Sequence, residues 1–250
     1  MSRAGFDQYI TVFSPEGSLY QVEYAFKAVA YSGLLTVAVR YRDGVLVVTQ
    51  HQVPDRLMKP NSITALFDLT DHVGCCVTGR APDGRAMVQR AREEASEYKY
   101  RYGLPIPIGV LAKRIGEKAQ VRTQQAGLRP MGVIVTLIGM DQQDEDGAWV
   151  PRIYTVDPAG WVGGYHAVAN GKKDVEALAF LEKRQKSKPF DELDQKEAAM
   201  IALAAVQTAV GASLKASDVE VGICSIEHQR MVRASKEQVE DWLTAVAEAD

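Results

Sequence analysis

Residues 5–33, GFDQYITVFSPEGSLYQVEYAFKAVAYSG, read as an ordered segment placed ahead of the first core strand, and the rest of the chain is organised around them. Ile10, Val12 and the aromatics Phe6, Tyr9 and Phe13 predict a short, half-buried extended run that stops at Ser14-Pro15. From Ser18 the order Ser-Leu-Tyr-Gln fits a capping box, in which hydroxyl and amide side chains satisfy free N–H groups of a first helical turn. Gly33 supplies the left-handed residue that ends a helix. The predicted rod, Ser18 to Ala30, is about 20 Å long, with Leu19, Val22, Phe26 and Val29 on one stripe and Tyr20, Tyr24 and Ala28 beside it. So wide and aromatic a stripe does not suit a solvated helix.

Downstream, Leu35–Tyr41 alternates with period two, Arg42-Asp43-Gly44 turns the chain and Val45–Thr49 returns, which predicts a β-hairpin. Pro54 and Pro60 bracket a loop, and Ile63–Leu69 with Val73–Thr78 form a second strand pair around Asp71-His72. Four successive strands predict an antiparallel meander. The pattern turns helical at Pro82 and runs to Gly103; after Pro105 and Pro107 a second helix carries Ile108, Leu111, Ile115, Ala119 and Val121. Val133–Gly139 reads as a buried strand followed by a polar hairpin tip at Gln142–Gly147. Ile153–Val156 and Trp161–Ala169 supply further strands on either side of Asp157-Pro158-Ala159-Gly160. Helices follow at Asp174–Arg184 and Asp194–Val210, then a hairpin from Val219–Ile226 and Met231–Arg233, and a last helix capped by Ser235-x-x-Gln238 and running to Asp250. This order suits two antiparallel sheets packed face to face with helices outside, in one domain, residues 1–250.

Composition excludes several classes. With 29 basic and 32 acidic residues the formal charge is −3, so nothing global favours nucleic acid or a membrane surface. No apolar run has the roughly 18–20 residues of a membrane span, and residues 1–15 lack a signal-peptide core. Cys75, Cys76 and Cys224 lack metal-site spacing and read as reduced core thiols of an intracellular protein.

The run Phe6, Thr11, Phe13-Ser14-Pro15, Gly17 and Gln21-Val22-Glu23-Tyr24-Ala25 resembles the amino-terminal signature of the proteasome α-type subunits. The resemblance covers essentially the whole chain; Tyr24-Ala-Phe-Lys-Ala28, Arg129-Pro130 and Asp157-Pro-Ala-Gly160 look closest to the eukaryotic α type 6 class. Gln8 and Phe6 depart from the usual Tyr-Asp-Arg triplet, and Ser18 from a common basic residue. The resemblance implies an α+β fold, the four-layer αββα sandwich of the amino-terminal-nucleophile hydrolases with an added N-terminal helix. Residues 1–33 would be gate tail and helix, and 34–250 the sandwich body. It further implies a place in the seven-membered outer ring of the 20S core particle, beside other α subunits, β-ring subunits and regulatory complexes, in ubiquitin-dependent degradation in cytoplasm and nucleus. Gate and turn roles would fall on Phe6, Asp7, Pro15 and Tyr24, and the ring interface on Leu19, Val22, Phe26 and Val29.

Enzymes of that fold attack with the first residue of the mature chain, whose free amine serves as base. By the resemblance, the catalytic threonine, aspartate and lysine positions are Leu34, Gln50 and Ala65, so no catalytic residue is expected, and no cofactor or metal. Ala65 would also leave a pocket for activator tails without its cation. Thr36 lies inside the strand without a free amine, and a Ser2 nucleophile, exposed by loss of Met1, would sit about thirty residues from the strand that normally presents one. The four histidines show no ligand grouping. Gly163-Gly164 and Gly171-Lys172 do not fit a phosphate loop and suggest close strand approach. Lys183–Lys188 reads first as a solvated basic loop, with an import signal or an acidic regulator's contact as alternatives.

Overall fold

The computed structural model describes residues 5–142 and 147–249. Its strands are β1 (Leu35–Tyr41), β2 (Gly44–Gln50), β3 (Leu66–Asp68), β4 (Val73–Gly79), β5 (Val133–Gln142), β6 (Trp149–Val156), β7 (Val162–Tyr165), β8 (Ala167–Gly171), β9 (Val219–Ser225) and β10 (Val232–Arg233). The α-helices are α1 (Tyr20–Tyr31), α2 (Ala81–Tyr102), α3 (Ile108–Gln124), α4 (Asp174–Ser187), α5 (Gln195–Val210) and α6 (Lys236–Ala249). Two antiparallel five-stranded sheets result, ordered β10-β9-β2-β1-β8 and β3-β4-β5-β6-β7.

Period-two alternation divides each strand between two layers. Leu35, Val37, Val39 and Tyr41 of β1 and Leu46 and Val48 of β2 face α4, α5 and α6, while Ala38, Val45 and Val47 face the opposite sheet. In the second sheet Val73, Cys75, Val77, Val133, Val135 and Leu137 lie under α2 and α3, and Cys76, Ile138 and Met140 point between the sheets. The layers are therefore helix, sheet, sheet, helix, as expected. Polar groups in the central layer are mutually satisfied: Thr36 Oγ1 lies 2.9 Å from Thr49 Oγ1 and accepts from Thr78 Oγ1 at 2.7 Å, and Asn170 Nδ2 donates to Thr136 Oγ1 at 3.1 Å.

The expected four-strand meander is not formed. β1–β2 and β3–β4 are hairpins of different sheets, because β9 takes the free edge of β2 and β5 that of β4. Likewise the single strand expected over Trp161–Ala169 breaks at His166 into β7 and β8, one for each sheet. In the first hairpin Arg42 and Asp43 make the turn, and Gly44 is needed for room: a Cβ there would lie 2.3 Å from the Cys224 carbonyl oxygen. The Ser235–Gln238 capping box forms through both of its hydrogen bonds, at 3.0 and 3.2 Å. Residues 143–146 of the expected hairpin tip, and residues 1–4 with Ser2, lie outside the described residues.

Candidate functional site

The start of β1 carries the first candidate. Gly33 (φ +78°) follows α1, and the Leu34 carbonyl accepts from Lys172 N at 2.9 Å. Gly171 (φ +119°) permits this approach, since a Cβ on it would fall 2.1 Å from the Leu34 oxygen. Leu35 N donates to Gln50 Oε1 at 2.9 Å. Leu34, Gln50 and Ala65, separate in sequence, line one cavity of about 90 Å³ together with Thr64, Arg85 and Glu220. Glu220, which sequence reasoning missed, comes from β9; its Oε2 accepts from Thr64 Oγ1 at 3.0 Å and from Ala65 N at 3.1 Å. A glutamate in a strand 155 residues from Ala65 gives no local signal.

Chemically this cavity has a carboxylate (Glu220), a guanidinium (Arg85), an imidazole (His51), two amides and the Thr64 hydroxyl, but no nucleophilic side chain at Leu34. Thr36, two residues into the strand, is 1% exposed and bonded to two threonines in the central layer, while Ser32 Oγ accepts from Leu34 N at 3.4 Å and Thr64 Oγ1 donates to Glu220. Burial pushes the thiols of Cys76 and Cys224 up to about 11 and about 12, and that of Cys75 higher still, so all three are inert core groups. Among the described residues no cluster of His, Cys, Asp or Glu could hold a metal ion, and no helix is long and apolar enough to cross a membrane.

The N-terminal segment is the second candidate. The extended run expected over Phe6–Phe13 is instead turns and irregular chain with only Ile10 of its hydrophobics buried, and among the described residues it joins neither sheet. Pro15 occupies the second position of a turn in which Gly17 N donates to the Ser14 carbonyl at 2.9 Å. The Ser18 capping box is absent: Ser18 N donates to Ser14 Oγ at 3.1 Å, α1 begins at Tyr20 without a side-chain cap, and Gln21 Nε2 donates to the Asp7 carbonyl. Gln21 is thus spent on tethering the tail.

Phe6, Asp7, Pro15 and Tyr24 are not joined into one cluster. Tyr24 stacks on Tyr20 at 6.4 Å with the Lys27 ammonium over its ring, and among the described residues no hydrogen bond or ion pair links the Asp7 side chain to it. The stripe Leu19, Val22, Phe26 and Val29 is divided too. Val29 is 3% exposed, and with Ala25 it seats α1 on β4 and β5, where Gly132 leaves room for Ala28. Leu19 and Val22 are half-buried, and Phe26 is 39% exposed. Six large hydrophobic side chains remain exposed within residues 5–31: Phe6, Tyr9, Val12, Phe13, Phe26 and Tyr31.

Lys183–Lys188 is not a loop. Its first five residues form the end of α4, where positive charge complements the helix dipole, and Lys188 pairs with Glu197 at 2.6 Å. Gly163 and Gly164 lie in β7 against the Tyr165 and Tyr154 rings, in keeping with close approach.

Comparison with known proteins matches two family models. One, described as "Proteasome subunit", covers residues 30–224, and the other, describing the A-type N-terminal signature of proteasome subunits, covers residues 6–28. The chain is 65% identical to an alpha type-1 proteasome subunit of Trypanosoma brucei brucei, over 99% of this chain and 92% of that protein. It is 42% identical to a probable alpha type-1 proteasome subunit of Schizosaccharomyces pombe, over the whole of both. With an alpha type-6 proteasome subunit of Caenorhabditis elegans the identity is 39%, over 100% of this chain and 98% of that one.

Proposed function

The chain belongs to the proteasome subunit family and bears its A-type N-terminal signature, and from that premise we propose that it is a non-catalytic α-ring subunit of the 20S core particle. The observation that carries this is the start of β1: Leu34, at the junction that would have to be cut to free an amine, offers no hydroxyl or thiol nucleophile. Threonine-directed electrophiles should leave this subunit unlabelled in a purified particle, and a covalent adduct on Thr36 would overturn the reading. Native mass gives a second test, since about 27 kDa would mean a free-standing module or enzyme and several hundred kilodaltons a ring complex.

We read residues 1–250 as one domain in which 1–33 serve assembly and gating. The outward face of α1 around Phe26 would pack on neighbouring α subunits of a seven-membered ring, with Val29 holding the helix to its own body. Exposure of Phe26 and Tyr31 supports this. Phe26→Asp should block incorporation into particles, because an unpaired charge would be buried in the contact; incorporation at normal yield would remove α1 from the interface. Phe6, Asp7, Pro15 and Tyr24 would act as gate and turn residues in the ring. β-ring subunits, regulatory complexes, ubiquitin-dependent degradation and a cytoplasmic and nuclear location complete the reading, and imaging of a tagged chain tests the last. As to subunit class, the two type-1 relatives are the more similar ones, so type 1 is better supported than the type 6 class expected from short motifs.

At Ala65 the activator pocket would lack its lysine, and Glu220 adds a carboxylate beside it. A tail carboxylate there forgoes the charge-assisted hydrogen bond of a lysine at position 65, about 1.5–3 kcal/mol or roughly ten- to hundredfold in affinity, and Arg85 is left as the cation of the cavity. Ala65→Lys should raise tail-peptide occupancy at that pocket alone; equal occupancy of wild-type and lysine-bearing pockets would overturn this.

A further inference from the structure

A second surface lies in the helical layer on the far side of the sheets from α2 and α3. Between α4, α5 and α6 a cavity of about 250 Å³ opens to solvent, floored by Leu193, Met200, Ile201, Ala204 and Val246. Its volume suits one bulky apolar side chain. The rim is cationic. Lys188 Nζ meets both oxygens of Glu197, at 2.6 and 2.8 Å, so the acidic group on the rim is already neutralised. Arg184, which lines the pocket, lies over the Phe180 ring, 5.1 Å from its centre, and among the described residues it has no carboxylate partner. A guanidinium steadied on an aromatic face keeps its donors free for a carboxylate.

We propose that this pocket docks an acidic segment of a partner protein, which inserts one leucine or phenylalanine side chain over Ala204 while a flanking carboxylate meets Arg184. Charge complementarity selects the occupant: a basic segment would face the unpaired Arg184, and an uncharged one would leave it unanswered. The pocket belongs wholly to one chain and lies away from α1, so the proposal does not depend on ring membership.

The test uses the full-length chain as it purifies from cells and a fluorescein-labelled hexapeptide with a Leu-Phe pair between two pairs of glutamates, read by anisotropy. Binding should weaken about tenfold or more with Arg184→Glu, and comparably with Ala204→Phe, which fills the hole. A peptide with lysines for the glutamates, or Gly-Ser for the Leu-Phe pair, should not compete. Should Ala204→Phe fail to fold, Met200→Gln probes the same floor. No binding of the acidic peptide, equal binding of the lysine peptide, or loss on Arg184→Glu with none on filling the floor would overturn the proposal. The last result would mean bare charge attraction, of the kind nucleic acid or an anionic membrane also satisfies.

Discussion

The two outer helical layers solve the same problem with different chemistry. Over the first sheet, α5 buries Ala198, Ala199, Ala202, Ala205 and Ala209 together with Leu203 and Val206, so its backbone approaches the strands closely. Over the second sheet, α2 and α3 are more charged and are latched by ion pairs. Glu94 of α2 binds Arg114 and Lys118 of α3 at 3.2 and 2.6 Å, and Asp83 binds Arg129 through both carboxylate oxygens while accepting from Gly132 N at 3.0 Å. Both layers are held by apolar packing, but the second adds enclosed carboxylates with basic partners. Both should thus be sensitive to volume, and the second should be the more sensitive to pH.

The largest effect is expected where volume is removed from the apolar layer. Leu203 is fully buried, and Leu203→Ala should cost about 2–5 kcal/mol in denaturant unfolding, by the same amount from pH 5 to 8. A strong pH dependence of that cost would blur the contrast.

Next comes Arg129→Met, which strips Asp83 of its partner while the carboxylate stays enclosed, its side chain only 6% exposed. Because Arg129 is more than half exposed, solvent screens the pair, and about 2 kcal/mol is expected at pH 7. The Arg129 guanidinium holds the Asp83 carboxyl below the usual carboxylate range. That stabilisation is complete above the unfolded value of about 3.9 and is lost as pH falls through the lower folded value. The deficit of the variant should therefore shrink below about pH 4; a constant deficit would mean that Arg129 acts by packing.

Smaller still is Lys118→Met, at about 1 kcal/mol, since Lys118 is 43% exposed and Arg114 remains on Glu94. A double-mutant cycle with Arg114→Met should give a positive coupling that weakens in salt. The control sits in the first layer: Lys188→Ala breaks an exposed pair and should cost less than about 1 kcal/mol. If Lys188→Ala matched Arg129→Met, the division between the layers would fail.

What the sequence made legible was local and periodic. The first hairpin, the two long helices after Pro82, the Ser235 box and the helix-ending Gly33 all rest on neighbours within a few residues. What it hid were choices made by distant partners. Nothing near Gln50 indicates that β2 pairs with β9, and nothing near His166 indicates that the chain leaves one sheet for the other there. Ser18 has the letters of a cap, but the side chain that would have answered it, Gln21, is drawn to Asp7. At the cleft beside β1, Leu34, Gln50 and Ala65 are singled out by resemblance, whereas Glu220 comes into view only with the fold. The aromatic stripe was visible as a stripe; which of its members serve the chain's own core was not, because Val29 and Phe26 look alike until α1 is docked.

The strand orders also set a schedule for synthesis. The second sheet is built from β3 to β7 in unbroken sequence, so every strand it needs has been synthesised by Tyr165. The first sheet opens with β1 and β2, yet β2 pairs with β9 across about 170 residues. At roughly 5–20 residues per second the early hairpin waits about 8–35 s with an open, hydrophobic edge. The nascent chain thus carries a finished half beside an adhesive one, and the hairpin that opens the sandwich is the part most in need of protection until the end of translation.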